Sequence, residues 1–312
     1  MYKYVLKRLG MMIPVILGVT VIIFLILSYS PGDPARLVLG EMASEESVEM
    51  WREEHGLNDP VSLRYVKYMG NIAKGDFGTS YKTGRPVSTE IFQRFPITFR
   101  LATIGMIVAL LIALPLGIVS AVKQYSLIDG VATIFGMLGI AMPSFWVALM
   151  MILIFSLKLG WLPSNGIEGW KSLIMPAISV GFGCCANIMR ITRSSMLEVI
   201  RTDYIRTAKA KGVKNKDIIG KHALKNVLIP VITVAGLQFG AMMGGAVIAE
   251  TVFSWPGIGT YMITSIKAKD TPAVMGSIIC FCVAFSLVNL VVDLIYGSVS
   301  YTHLTLPTNR EV

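Results

Sequence analysis

Six stretches of the chain contain no Asp, Glu, Lys or Arg: residues 9–32, 101–122, 130–157, 172–189, 226–249 and 271–292. About 20 mostly apolar residues let a helix cross the hydrocarbon core of a bilayer, and one charge at its centre costs about 2.5–3.5 kcal/mol on insertion scales. A soluble fold would interrupt such runs with polar residues at a period of 2 or 3.6. These are uninterrupted, so the expectation is an all-α polytopic membrane protein with six transmembrane helices. Composition agrees: the 312 residues are 54% hydrophobic and 15% charged, against roughly 25% charged in soluble domains.

The first run follows Lys3, Lys7 and Arg8. It is longer than the 7–15-residue core of a signal peptide and no Ala-x-Ala site follows it, so residues 1–32 are expected to be an uncleaved anchor with its amino terminus inside. Six crossings then place both termini in the cytoplasm. Short loops on that side carry Lys123 and then Arg201, Arg206, Lys209, Lys211, Lys214, Lys216, Lys221 and Lys225; those opposite offer Lys158, Lys171, Lys267 and Lys269. The net charge of +9 is thus segregated by side, the positive-inside pattern, and is not a nucleic-acid patch. Residues 33–100 form the one sizeable polar segment, expected as a small extracytoplasmic layer. It opens a helix at Ser44-Glu-Glu and ends near Gly75-Asp-Phe-Gly78.

Several activities lose their support here. No Gly-x-x-x-x-Gly-Lys-Ser/Thr loop is present, so ATP is not expected to be hydrolysed on this chain. His55, His222 and His303 all lie outside the six runs, and no Gly-x-Ser-x-Gly elbow occurs, so no catalytic or metal-binding residue is assigned. Cys184, Cys185, Cys280 and Cys282 sit in apolar runs as small hydrophobes. A self-sufficient ion-coupled carrier would be expected to place a carboxylate mid-membrane; Glu250 and Asp293 lie only at run ends, where interfacial solvation accounts for them. An uphill transport would therefore draw its energy from another chain.

The connection between the fourth and fifth runs is the most informative. Glu198 and Arg201, and Asp203 and Arg206, are three apart, spacings that put opposite charges on one helical face. Gly212 is a helix stop, and Asn215 is expected to cap a second short helix ending near His222. Two short helices meeting at a glycine make a compact knob under the membrane, or else a merely basic juxtamembrane segment.

Ala208, Gly212 four residues on and Leu224 twelve further resemble the coupling loop of ATP-binding-cassette importer permeases, Glu-Ala-Ala-x3-Gly-x9-Ile-x-Leu-Pro. Arg206 and Thr207 stand at the first two positions of that motif, and Ala223 and Lys225 flank Leu224 where the Ile-x-Leu-Pro pattern differs. Tyr204-Ile-Arg-Thr-Ala-Lys-Ala-Lys-Gly212 and His222-Ala-Leu-Lys-Asn-Val-Leu-Ile-Pro230 resemble the variant of the dipeptide/oligopeptide/nickel permeases, first member of the membrane pair. Pro31-Gly-Asp-Pro34, Gly75-Asp-Phe-Gly-Thr-Ser80, Met189-Arg-Ile-Thr-Arg-Ser-Ser-Met196 and Glu250-Thr-Val-Phe-Ser-Trp-Pro-Gly-Ile-Gly259 extend the resemblance to about Gly297.

The resemblance implies a type I importer permease fold over 101–297, with a coupling loop at 196–226. It implies a bacterial or archaeal plasma membrane and import of dipeptides or oligopeptides, with nickel or glutathione as alternatives. The implied partners are a second homologous permease, two cytoplasmic ATPase domains that hold the ATP and magnesium, an extracytoplasmic solute-binding protein and the lipid bilayer. Arg206, Thr207, Ala208, Lys211, Gly212 and Leu224 are the implied ATPase contacts. Gly236, Gly240 and Gly244 form a small-residue ladder suited to helix packing around a pathway. Trp255, Pro256 and Gly257 fall at the outer mouth, the Trp as an interfacial anchor. Pro14, Pro115, Pro143, Pro176 and Pro230 are candidate kinks or span ends. Residues 298–312 depart from such relatives: Val299-Ser-Tyr-Thr-His-Leu-Thr-Leu-Pro-Thr-Asn309 back-translates into a transposase adapter and is expected to be a foreign tail.

Overall fold

The computed structural model describes the backbone of residues 2–304 and the side chains of residues 5–294. Residues 305–312 of the expected foreign tail lie outside the described backbone, and all its side chains outside the described ones. In chain order the helices are α1 (Tyr2–Tyr29), α2 (Pro34–Leu39), α3 (Glu45–Glu54), α4 (Val61–Ala73), α5 (Val87–Val122), α6 (Leu127–Ala141), α7 (Ser144–Met151), α8 (Lys171–Ile200), α9 (Asp203–Ala210), α10 (Asn215–Asp217), α11 (Leu224–Val252), α12 (Ile258–Lys267) and α13 (Thr271–Leu304). Two π-helical segments, Ile152–Lys158 and Ile218–Ala223, extend α7 and join α10 to α11. No strand occurs among the described residues, which hold one isolated bridge between Thr79 and Pro86.

Five described helices are long and apolar enough to cross a membrane, or six if a bent pair counts as one span. That pair makes up the third expected run, bent at the candidate kink: α6 and the helix from Ser144 to Lys158 meet at 107°. The reason is Pro143. Its ring cannot continue a helix, and it biases Met142 toward the extended backbone that residue shows, φ −80°, ψ 127°. Pro14, Pro176 and Pro230, by contrast, lie inside continuous helices. Helix α5 starts 14 residues before its expected span, and its 36 residues extend about 54 Å at 1.5 Å each, beyond a hydrocarbon core of about 30 Å. Helix α8 likewise runs eleven residues past Met189.

The chain divides into two compact units. The first comprises residues 1–100 and 254–286. Here Ser44 caps α3, its side chain accepting from Ser47 N at 3.2 Å. Asp33 caps α2 through Ala35 N and pairs with Arg52 of α3 at 2.8 Å. Val87, Ile91, Ile258, Tyr261 and Ala273 form its core, with Phe77 of the Gly75–Gly78 turn against it. Fully buried Asp270 caps α13 through Ala273 N and accepts from Ser80 Oγ at 2.5 Å and Lys82 N at 3.2 Å.

The second unit comprises residues 101–253 and 287–312. Helix α8 is its centre, packed by α6, α7 and α11. The helices approach closely where side chains are absent. A Cβ on Gly181 would lie 2.6 Å from Gly105 O, one on Gly117 2.7 Å from Met189 O, and one on Gly139 2.5 Å from Ala186 Cβ. Van der Waals contact and small residues take the place of a hydrophobic driving force between helices in lipid.

Candidate functional site

The connection from α8 to α11 is a folded knob built on one buried stripe. Ile205 is fully buried, Ile218 and Ala223 are buried, and Ala208, Val213 and Ile219 pack against the same cluster, which includes Met196 at the end of α8. Helix α9 rests on the π segment Ile218–Ala223, which in turn packs on α8 and α11. Helix α9 ends in a Schellman motif. Gly212 takes φ +76°, its N–H donates to Lys209 O at 3.0 Å, and Val213 N donates to Ala208 O at 3.2 Å. A left-handed residue is needed there, and glycine adopts it without a Cβ penalty. Asn226 Nδ2 donates to Tyr204 Oη at 2.6 Å, tying α9 to the first turn of α11.

The second half of the knob differs from expectation. Asn215 is the first helical residue and not the cap; Lys214 precedes it, with no side-chain capping bond. No separate helix stops at His222, because the backbone continues through the π segment into α11. The run Ile218, Ile219, Ala223, Val227 and Val231 keeps an apolar face on the core throughout, so a stop would expose it.

Arg206, Thr207, Lys211 and Gly212 lie exposed on the face of α9 turned away from its core, beside Asp203 and Ala210. Thr207 Oγ1 donates to Asp203 O at 3.0 Å, so its hydroxyl bonds back to its own helix. Ala208 and Leu224 are half-buried, and Ala208 packs inward. The structure therefore brings four of the six residues expected to couple onto one open surface.

At the root of the knob is a polar cluster of α5, α6 and α8. Asp129 accepts from Arg193 Nε at 2.7 Å and Nη2 at 2.9 Å, from Ser120 Oγ at 2.6 Å and from Tyr125 N at 2.9 Å. Arg193 Nε also donates to Ser120 Oγ at 3.0 Å. The Asp129 side chain is 6% exposed and that of Arg193 26%. A guanidinium fork on one carboxylate fixes orientation as well as attraction, so this cluster holds three helices in register where the loop departs.

Comparison with known families decides what such a chain is. The family of the binding-protein-dependent transport system inner membrane component matches residues 113–300, and the amino-terminal region of such membrane components matches 1–102. The chain belongs to the ABC importer permeases. The dipeptide transport system permease protein DppB of Alkalihalophilus pseudofirmus is 43% identical to this permease, covering 95% of this chain and 98% of that protein. The glutathione transport system permease protein GsiC is 40% identical in Salmonella choleraesuis and 39% in Escherichia coli K12, each covering 96% of this chain and 98% of that protein. A crystal structure of an amino acid ABC transporter shares the fold at TM-score 0.54 and 13% identity, over 68% of this chain and 94% of that one. The inward-facing MetNI methionine ABC transporter shares it at TM-score 0.52 and 17% identity, over 67% and 95%.

The remaining sequence-chosen residues of the permease are dispersed. Gly236 lies against Val292 of α13, and a Cβ there would fall inside the valine side chain. Gly240 is buried, whereas Gly244 is exposed, and a Cβ added to it would meet nothing within 4 Å. Trp255 is 4% exposed, so its ring is enclosed by protein and not laid among headgroups as an interfacial anchor would be. Pro256 is half-buried, and buried Gly257 precedes α12. Glu250, expected in interfacial solvent, is fully buried. Sequence reasoning missed the Asp129–Arg193 pair entirely. Its members are 64 residues apart, and the one available signal was a carboxylate at the edge of an apolar run.

Proposed function

We propose that this permease imports short peptides by alternating access, driven by separate ATPase subunits. The observation that carries the substrate class is the 43% identity to a dipeptide permease across nearly the whole of both chains. The 40% identity to glutathione permeases supports glutathione as a second reading, and both substrates are small peptides with free carboxylates. In this reading a second homologous permease completes the pathway, an extracytoplasmic binding protein delivers substrate, and two ATPase domains hold the ATP and magnesium. The permease resides in a bacterial or archaeal plasma membrane, with both termini cytoplasmic and residues 33–100 outside.

The exposed face of α9 is the docking surface for an ATPase. Arg206, Thr207, Lys211 and Gly212 supply it, and Ala208 and Leu224 support it from within. A push on that face is delivered to α8 and α11 through packed contacts and shifts the permease between two rigid arrangements. The test is uptake of a radiolabelled dipeptide, with glutathione and nickel in parallel, in a deletion strain carrying wild-type or altered permease. Open space surrounds Gly212, so Gly212→Ala pays only the left-handed backbone cost of about 1–2 kcal/mol and retains uptake. Gly212→Trp inserts into the membrane normally and loses uptake, because its indole occupies the docking face. Wild-type uptake by the Trp variant refutes the docking surface; uptake of nickel alone refutes the peptide substrate.

A further inference from the structure

We propose that the first unit holds a binding site for a phosphate group, in a cavity beside the carboxyl-terminal end of α1. The cavity has a volume of about 290 Å³ and is lined by Ser28, Asp33, Arg52, Arg64, Lys269 and Thr271, among others. Three cations face one carboxylate, and that carboxylate is already engaged. Asp33 Oδ2 takes Arg52 at 2.8 Å and its Oδ1 takes Ala35 N at 3.1 Å. Other acidic groups nearby are committed elsewhere. Glu49 accepts from Arg52 and Asn58, Asp59 pairs with Lys67, and Asp270, next in chain to Lys269, holds Ser80, Lys82 N and Ala273 N.

Two cations are left over. Lys269 Nζ is buried with no hydrogen-bond partner among the described residues, and so is Ser28 Oγ. Arg64 lies over the Phe24 ring, 5.7 Å from its centroid, and forms no ion pair among the described residues. A buried ammonium without a partner is costly, and two like charges beside it add to that cost. The backbone is shaped to keep it there. Lys269 takes φ +56°, and Gly32, at φ +115°, leaves room for the lysine stem, since a Cβ there would lie 3.3 Å from Lys269 Cε. An oxyanion with several acceptor oxygens satisfies Lys269, Arg64 and Ser28 together through charge-assisted hydrogen bonds.

The location rests on the topology proposed for the importer, which sets the end of α1 at the outer membrane surface. Two sources present a phosphate there: the headgroup of an outer-leaflet phospholipid and free inorganic phosphate. Binding is read without transport, so failure of the site and failure of the importer reading are separable. The full-length permease, purified and delipidated in detergent, is titrated with inorganic phosphate and separately with phosphatidylglycerol. Sodium chloride at matched ionic strength controls for screening, and thermal unfolding is the readout. The expected result is a saturable rise in Tm with at least one probe, its apparent affinity falling about tenfold or more in Lys269→Gln and in Arg64→Gln. Exposed Lys267 lies outside this cavity, and Lys267→Gln leaves the response unchanged. A response to phosphatidylglycerol alone assigns the site to lipid, and one to both probes assigns it to the phosphate group itself. No saturable rise with either probe overturns the proposal, as does an undiminished response in both pocket variants. Should Lys269→Gln not fold, the wild-type titration and Arg64→Gln decide.

Discussion

Replacing Asp129 by Asn keeps the shape of the side chain and removes its charge. Four donors converge on the native carboxylate: two from the Arg193 fork, the Ser120 hydroxyl and the Tyr125 N–H. An amide can accept through one oxygen only, and its NH2 would confront a guanidinium and a hydroxyl that are both donating. Removing one partner of a fully buried ion pair costs about 3–5 kcal/mol. Arg193 is 26% exposed, so water can take up part of its charge, and we expect a loss of about 2–3 kcal/mol. Equilibrium unfolding in mixed micelles would measure it, and a cycle with Arg193→Met would isolate the pair. The double variant should lose less than the two single losses added, because the arginine that Asp129→Asn strands is gone. A loss in Asp129→Asn below about 0.5 kcal/mol, the usual range for surface changes, or strict additivity in the cycle, would refute the argument. Dipeptide uptake should fall in the same order as stability, since α5, α6 and α8 lose their common anchor at the root of the knob.

Two further outcomes test other contacts. Gly236→Ala forces a methyl into Val292 and should destabilise the second unit by about 1–3 kcal/mol; Val292→Ala should restore most of that in the same unfolding assay, and an unrescued double variant would show the clash lies elsewhere. Burial pushes the Asp33 carboxyl up, but the Arg52 guanidinium and the Ala35 N–H outweigh it and hold it below its usual 3.8. That contact therefore stabilises the first unit above the unfolded value and is lost as pH falls through the lower folded one. Protease cleavage near Arg52 should rise on acidification in the wild type and be high already at neutral pH in Asp33→Asn; matching pH profiles would remove the contact from the account.

The spans were legible because the apolar runs are long and wholly uncharged, a signal that survives any detail of packing. The break at Met142 and Pro143 was half legible. Proline marks the position, but Pro14, Pro176 and Pro230 carry the same mark within unbroken helices, so neighbours decide which proline bends. Asn215 looked like a cap by residue type, yet the apolar stripe that continues from Ile218 to Val231 overrode that local preference. The spacing marked the α8–α11 connection as the candidate coupling loop, whereas the split between exposed Thr207 and inward Ala208 needed the helix phase that Ile205 sets by being buried. Trp255 and Glu250 were misread for one reason: residue type at a span end says where a side chain sits along the membrane normal, and not whether protein or water surrounds it. The Asp129–Arg193 pair is purely tertiary and left no periodic trace.

The π segment between α10 and α11 has a mechanical consequence. From Asn215 to Val252 the helix is continuous for 38 residues, about 57 Å at 1.5 Å per residue. The π segment on which α9 rests therefore leads into the span without a break in the helix. In the import mechanism proposed above, a displacement imposed on α9 would reach Ala249 and Glu250 as a movement of the whole shaft. The turn at Lys211–Lys214 is the one non-helical link between α9 and that shaft.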